Sequence, residues 1–167
     1  MARKVFYSFH YQADSHRVQQ VKNMGAVEGQ PLLGSNDWEK IENAGNSAIE
    51  KWIDNNMAGK SCNVVLIGAK TAGRKWVEYE IVKAWNDGKG VVGVYIHNLK
   101  DLSGSQSSKG INPFASIDVG ASKKKMSTIV NAYDPPYSTG TYVYDHIKDN
   151  LADWVEEAIK IRNDFKA

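Results

Sequence analysis

The chain has 167 residues, of which 42% are hydrophobic and 24% are charged, and its formal net charge is +2. This composition is typical of a globular domain and differs from that of a disordered or membrane-embedded chain. The weak positive charge does not indicate nucleic-acid binding, and no apolar stretch approaches the roughly 18 residues that a membrane helix needs. We therefore expect one domain over residues 1–167, with no nucleic-acid or membrane partner.

The cysteine and histidine content limits the metal and redox chemistry. Cys62 is the single cysteine, so the chain has no internal disulfide and no cysteine-based zinc site. The four histidines have no metal-ligand spacing among themselves, and we expect no bound metal. The first residues lead directly into a strand-like run without a signal-peptide core. Together these features predict a cytoplasmic protein.

The first part of the chain predicts a strand followed by a helix. Residues 4–9 are rich in aromatic and β-branched side chains, which favours a strand. Asp14 or Ser15 is expected to cap a helix that ends near residue 24. Glycines and a proline then interrupt the pattern, and the apolar pair at 32–33 predicts a very short strand.

The middle of the chain alternates between helical and strand patterns. A helical region starts at Asn36 or Asp37, and its apolar side chains recur at helical spacing up to residue 53. Residues 62–67 and 91–96 are nearly continuous apolar runs, as in strands that are buried on both faces. A further helix is predicted between these runs, over residues 74–86. This alternation predicts an α/β fold in which helices cover both faces of a parallel sheet.

The last part of the chain is less regular. Residues 97–140 lack a clear period, and we interpret them as an irregular insert or loop region with one further strand at 126–132. In residues 144–166, six apolar side chains fall within about 80° on a helical wheel: Ile147, Leu151, Trp154, Ala158, Ile161 and Phe165. They predict an amphipathic helix that closes the domain.

Glu80 is the carboxylate that the helical pattern leaves unexplained. Val77 and Ile81 belong to one apolar sector, and Glu80 lies at the edge of that sector, beside Trp76. A buried carboxyl group without a partner is unfavourable, so Glu80 either serves a site or reaches water or a lysine at the border. The pattern alone leaves both interpretations open. His10 also follows a strand, where open α/β sheets bind their ligands.

Several segments resemble TIR domains. Residues 5–11 (Val-Phe-Tyr-Ser-Phe-His-Tyr) resemble the first conserved box, and residues 76–81 (Trp-Val-Glu-Tyr-Glu-Ile) resemble the segment that holds the NAD-cleaving glutamate of catalytic members. A closer resemblance is to the bacterial TIR-like family that includes ThsB of the Thoeris anti-phage system. Its motifs lie at residues 8–12, 62–68, 76–81 and 109–114, and the resemblance covers about residues 1–115. His10 replaces the arginine that usually follows the first TIR strand, and the loop after the first helix has no clear BB-loop sequence.

The resemblance implies a three-layer flavodoxin-like fold around a mostly parallel, five-stranded sheet. It also implies that NAD+ is the substrate, that no cofactor is needed, and that Glu80 is the catalytic residue. A cyclic or otherwise modified ADP-ribose would then act as a signal for a separate effector, and the domain would associate with copies of itself. The side chains that we expect to contact NAD+ are Ser8, Phe9, His10, Trp38 and Trp76.

Two other classes of protein share this kind of sheet. A non-catalytic TIR-like interaction module would need Glu80 only for structure. A relative of the nucleoside deoxyribosyltransferases would also cleave an N-glycosidic bond with a carboxylate, but its substrates would be deoxynucleosides. The three hypotheses differ in substrate and in the role of Glu80.

Overall fold

A five-stranded parallel sheet lies in the middle of the molecule in the computed structural model, which describes residues 2–166. Every pair of neighbouring strands in this sheet is parallel. In spatial order the strands are β2 (Glu28–Gly29), β1 (Lys4–Ser8), β3 (Cys62–Ile67), β4 (Gly90–Tyr95) and β7 (Ala132–Tyr133). Between β4 and β7 the chain forms a separate antiparallel pair, β5 (Asp118–Val119) and β6 (Lys124–Lys125).

Helices cover both faces of the sheet. One face carries α1 (Tyr11–Asn23) and α5 (Gly140–Asp164), and the other carries α3 (Asn46–Met57) and α4 (Lys75–Asn86). Helix α2 (Ser35–Asn43) packs against α3. The predicted three-layer flavodoxin-like architecture, with its central five-stranded sheet, is confirmed.

The strands divide the interior into two apolar cores because successive side chains point to opposite faces. On β1, Val5 and Tyr7 join the core beneath α1 and α5, whereas Phe6 joins the core beneath α3 and α4. On β3, Val65 and Ile67 face the α3–α4 side. Ser8 and Asn63 share the parity of these residues, and they therefore lie on the face that α4 covers.

Helix α1 begins earlier than its polar residues suggest. It starts at Tyr11, and the His10 Nδ1 atom caps it by accepting a hydrogen bond from the Ala13 amide at 3.1 Å. The prediction of a cap at Asp14 or Ser15 is therefore wrong. Asp14 is buried and forms an ion pair with Arg17 at 3.0 Å.

Two other predictions in the first half of the chain also need correction. The second strand lies at Glu28–Gly29 instead of residues 32–33, because its position is set by pairing with β1. The helical region after residue 35 is divided into α2 and α3, separated at Ala44 and Gly45. Gly45 has a φ of 99°, a left-handed conformation that glycine adopts without steric cost.

The region 97–140 contains more structure than an irregular loop. The strand predicted at 126–132 is replaced by a short 3-10 turn over Met126–Thr128, and the edge strand β7 follows it at Ala132–Tyr133. Helix α5 starts at Gly140, four residues before the predicted 144, and ends at Asp164. Neither α5 nor any other helix within residues 2–166 combines the length and apolarity needed to cross a membrane.

Gly90 is a position where strand and helix approach too closely for a side chain. A Cβ atom added there would lie 2.7 Å from the Ile159 nitrogen and 2.8 Å from the Ala158 carbonyl carbon of α5. Helix backbone cannot move aside cheaply, so we expect Gly90→Ala to lower the free energy of unfolding by about 1–3 kcal/mol. Urea unfolding measures this loss.

Gly34→Ala is the control for that substitution. A Cβ atom at Gly34 would meet nothing within 4 Å, and its φ of −69° suits alanine. We expect the free energy of unfolding to change by less than about 1 kcal/mol. Equal losses in the two variants would show that the contact with α5 is not the cause.

Candidate active site

A cleft of about 320 Å³ opens beyond the carboxyl end of β1. This is the edge of a parallel sheet where α/β proteins bind ligands, and the volume is near the lower end for small-molecule sites. Its walls come from four places: the β1–α1 junction, the segment 30–33 after β2, the helices α2 and α3, and the first turns of α4. The lining residues are Phe6, Tyr7, Phe9, His10, Tyr11, Gln12, Gln30, Pro31, Leu32, Leu33, Trp38, Glu42, Trp52, Gly73, Arg74, Lys75, Trp76, Val77 and Glu80.

Glu80 is the buried carboxyl group of this cleft. It lies in the second turn of α4 and is only 8% exposed. Burial raises its pKa to about 8, and the nearby Ser8 hydroxyl partly opposes that rise. No ion pair among residues 2–166 includes Glu80. The interpretation as a border residue that reaches water or pairs with a lysine therefore does not describe this side chain.

His10 joins the cleft to the start of α1. Its Nδ1 atom accepts the α1 capping bond, so the proton of the neutral ring is on Nε2. Burial lowers the pKa of His10, and the charge of Arg74 lowers it further. His10 thus contributes a neutral imidazole to the cleft, where TIR domains usually have a charged arginine.

Aromatic side chains form one wall of the cleft. The rings of Tyr11 and Trp38 are stacked, with centroids 5.6 Å apart and an interplanar angle of 27°. Trp52 also lines the cleft and meets Trp38 edge-on, with ring centroids 5.8 Å apart. Flat apolar surfaces of this kind suit the rings of a nucleotide.

Four of the five residues predicted to contact NAD+ border this cleft: Phe9, His10, Trp38 and Trp76. Trp76 lies at the start of α4, with the Lys75 Nζ atom 4.8 Å from the centre of its ring. Ser8 is different. It is 1% exposed and does not line the cleft.

The segment 30–33 is a part of the site that the sequence pattern did not reveal. The Gln30 side chain accepts a hydrogen bond from the Tyr7 amide at 2.8 Å and donates one to the Tyr7 carbonyl at 2.9 Å. Tyr11 holds the other end of the segment, because its hydroxyl donates to the Leu33 carbonyl at 2.6 Å. Gln30 extends the pairing of β1 beyond β2, and only a long-range contact could have identified it.

Cations lie at the rim of the cleft on the α4 side. Arg74 and Lys75 are exposed lining residues at the start of that helix. The Arg74 side chain forms no capping bond to the helix, although it occupies the N-cap position. Within residues 2–166, no group of three or more His, Cys, Asp or Glu side chains is arranged to hold a metal ion.

The sheet order, the three layers and the buried carboxyl group at the carboxyl edge define a TIR-like α/β domain. The family model described as "Thoeris protein ThsB, TIR-like domain" matches residues 6–101, more than half of the chain. The chain belongs to this family.

A curated relative gives the same family assignment. It is named "Putative cyclic ADP-D-ribose synthase ThsB1" and comes from Bacillus cereus (strain MSX-D12). The two sequences are 38% identical over 119 residues, which cover 68% of this chain. The matched region spans 62% of the relative's length.

Proposed function

We propose that this chain is a TIR-like enzyme that cleaves NAD+ and converts it into a cyclic ADP-ribose. The observation that carries the proposal is the buried Glu80 carboxyl group in a cleft with an aromatic wall. Membership of the ThsB family supports it. The name of the Bacillus cereus relative, a cyclic ADP-D-ribose synthase, supports the same substrate and the same kind of product.

The chemistry requires one bond to break at the nicotinamide ribose. The bond between C1′ and the pyridinium nitrogen breaks, and its electron pair leaves with nicotinamide, which departs as a neutral molecule without protonation. The sugar gains oxocarbenium character, as in glycoside hydrolysis. A carboxylate beside the ring stabilises that developing positive charge. A lone carboxylate, without a paired acid, is therefore sufficient for this step.

The pKa of Glu80 suits both halves of the reaction. At neutral pH a carboxyl group with a pKa of about 8 is mainly protonated in the empty cleft. The pyridinium charge of bound NAD+ favours its ionised form. After nicotinamide has left, a carboxylate of raised pKa is an effective base for the proton that an attacking hydroxyl loses. Glu80 can thus stabilise the sugar cation first and accept the proton afterwards.

The nucleophile decides whether the product is cyclic or linear. Ring closure occurs when a hydroxyl or a base nitrogen of the ADP-ribose, instead of water, bonds to C1′. An aromatic wall such as Tyr11 and Trp38 favours closure, because it can hold the adenine and keep water away from the sugar. We further propose that the product is a signal for a separate effector protein, and that self-association of the domain supports catalysis.

A product analysis tests this proposal. The purified protein and filtrates of phage-infected cells that carry it are assayed with NAD+ and, separately, with deoxynucleosides. We expect NAD+ to be consumed, nicotinamide to be released, and mass spectrometry to detect a product one water lighter than ADP-ribose. Uninfected cells and cells without the protein are the controls.

Two other outcomes would replace the proposal. Turnover of deoxynucleosides but not of NAD+ would identify a deoxyribosyltransferase-like enzyme. Normal anti-phage signalling without any change in NAD+, in the wild type and in a Glu80→Ala variant alike, would identify a non-catalytic interaction module.

A further inference from the structure

A polar side chain lies in the most apolar part of the sheet. Asn63 is fully buried in β3, where all the other residues, Cys62 and 64–67, are apolar. The Asn63 Oδ1 atom is buried and has no hydrogen-bond partner among residues 2–166. Because an unpaired buried acceptor is unfavourable, a strand of this kind would be more stable with an apolar residue here. Asn63 therefore needs an explanation beyond packing.

The two protons of the Asn63 amide are both used. Nδ2 lies 3.1 Å from the Phe6 carbonyl oxygen and 2.8 Å from the Ser8 Oγ atom. The Phe6 carbonyl can only accept a hydrogen bond, so the atom that faces it must be the nitrogen. This fixes the orientation of the amide. The second Nδ2 proton is then donated to Ser8, whose Oγ atom acts as the acceptor.

The bond from Asn63 determines where the Ser8 hydroxyl can donate. Because the Oγ atom accepts a hydrogen bond from Asn63, its own proton is available to another acceptor, and the nearby Glu80 carboxyl group is one whose pKa the Ser8 hydroxyl lowers. Strand parity brings the three groups together. Asn63 pairs with Phe6 in the β1–β3 register, and Phe6, Ser8 and Asn63 all face α4. Neither Asn63 nor Ser8 lines the cleft, so neither contacts a bound substrate.

We propose that Asn63 is a positioning residue, which orients the Ser8 hydroxyl so that it donates its hydrogen bond to the Glu80 carboxylate. The proposal deepens the proposed function, and it rests on that function in taking Glu80 as the reacting group. A chain of aligned donors polarises each bond along it. It therefore stabilises the ionised carboxylate from the side that faces away from the substrate.

Other charged groups do not replace this chain of donors. Besides burial, the Ser8 hydroxyl is the one interaction that moves the pKa of Glu80 within residues 2–166, and it lowers that pKa. Besides Glu80, the charged and titratable residues that line the same cleft are Tyr7, His10, Tyr11, Glu42, Arg74 and Lys75. Within residues 2–166, no ion pair joins any of them to Glu80. Loss of the Asn63–Ser8 pair should therefore be visible directly at Glu80.

A ¹³C NMR titration of Glu80 tests the proposal without any turnover. Its side-chain carboxyl resonance is assigned by its absence in Glu80→Gln, and wild type, Ser8→Ala, Asn63→Val and the double variant are compared. We expect the pKa of Glu80 to rise by about one to two pH units in Ser8→Ala, and to rise less in Asn63→Val. The double variant should match Ser8→Ala, because no hydroxyl is left to orient.

Thr71→Val is the matched control for these substitutions. Thr71 is also fully buried, and its Oγ1 atom accepts a hydrogen bond from the Gly68 amide at 2.8 Å, with no connection to Glu80. The Thr71→Val variant should leave the pKa of Glu80 unchanged. An unchanged Glu80 pKa in Asn63→Val would overturn the proposal, and so would a further rise when Asn63→Val is added to Ser8→Ala.

A second measurement uses only the wild type, so it does not depend on whether a variant folds. We expect the side-chain ¹⁵N resonance of Asn63 to titrate with the pKa of Glu80. The Asn56 amide, which donates to the Trp52 carbonyl at 2.8 Å, should not respond. An Asn63 ¹⁵N chemical shift that does not change with pH would contradict the proposed chain of hydrogen bonds from Asn63 through Ser8 to Glu80.

The chain of hydrogen bonds from Asn63 to Glu80 and the proposed function can fail separately. If NAD+ is turned over, we expect kcat to fall roughly tenfold in Asn63→Val, with an unchanged KM, because Asn63 does not contact the substrate. If NAD+ is not turned over while the titrations behave as expected, the proposed function is wrong and the chain of hydrogen bonds from Asn63 to Glu80 is supported.

Discussion

Glu80→Gln is expected to reduce NAD+ consumption by at least about 100-fold, because it removes the charge that stabilises the sugar cation in the transition state. Glutamine has nearly the same shape as the protonated acid, so the fold should be retained. The rate of nicotinamide release, measured under the conditions in which the wild type is active, gives the loss. Circular dichroism checks the fold.

Glu78→Gln is the matched control for this variant. Glu78 lies on the same helix two residues earlier, but it is exposed and does not line the cleft. It should keep wild-type activity. Full activity in Glu80→Gln would remove Glu80 from the mechanism, and equal losses in both variants would point to a general effect of charge on α4.

The second large effect is on stability, and it depends on pH. Burial raises the pKa of Glu80 from 4.5 to about 8 in the folded protein. The folded state therefore binds the proton of the Glu80 carboxyl group more tightly than the unfolded state does. The contribution of this proton binding to the free energy of unfolding is fully present below pH 4.5 and is lost progressively as the pH rises towards 8. The full loss is on the order of a few kcal/mol.

Glu80→Gln removes this titration and should therefore be more stable than the wild type at high pH. We expect the difference in the free energy of unfolding to be largest at pH 8 to 9 and to shrink towards pH 5. Urea unfolding across this range measures it, and other titrating groups cancel because both proteins contain them. A difference that does not vary with pH would show that Glu80 has an ordinary pKa in the folded state.

The parts of the fold that could be predicted are those in which one stretch of sequence determines its own structure. Strands β3 and β4 are continuous apolar runs, and α4 and α5 have apolar stripes at helical spacing. Strand β2 has only two residues and no apolar pattern. Its position depends on hydrogen bonds from β1, which a local pattern does not contain.

The same distinction applies to the cleft. Glu80 stands out as an unexplained carboxylate because its apolar neighbours on α4 are close in sequence, and the resemblance to TIR domains suggests its catalytic role. Gln30 and Asn63 could not be identified in this way, because their roles depend on bonds to β1 residues that are 23 and 57 positions away. His10 was correctly placed near the cleft from its position after β1, but its capping bond to α1 required the helix boundary.

The two sides of the cleft differ in how firmly they are held. Glu80 is carried by α4, whose buried residues Val77, Ile81 and Trp85 anchor it to the sheet. Trp38 is carried by α2, which has no buried residue at all. An element that buries so little apolar surface can detach at small cost in free energy. The side of the cleft that carries Glu80 is therefore held more firmly to the sheet than the side that carries Trp38.

Under the proposed function, this difference in attachment gives α2 an influence on which product forms. A helix α2 that stays in place after nicotinamide leaves would keep water from the sugar until the ring forms. Residues that tie α2 down, such as Tyr11 through its stack on Trp38, would then set the ratio of cyclic to linear product without touching the reacting atoms. Product identity in this family could thus diverge through changes in the attachment of a single surface helix, with the catalytic carboxylate left untouched.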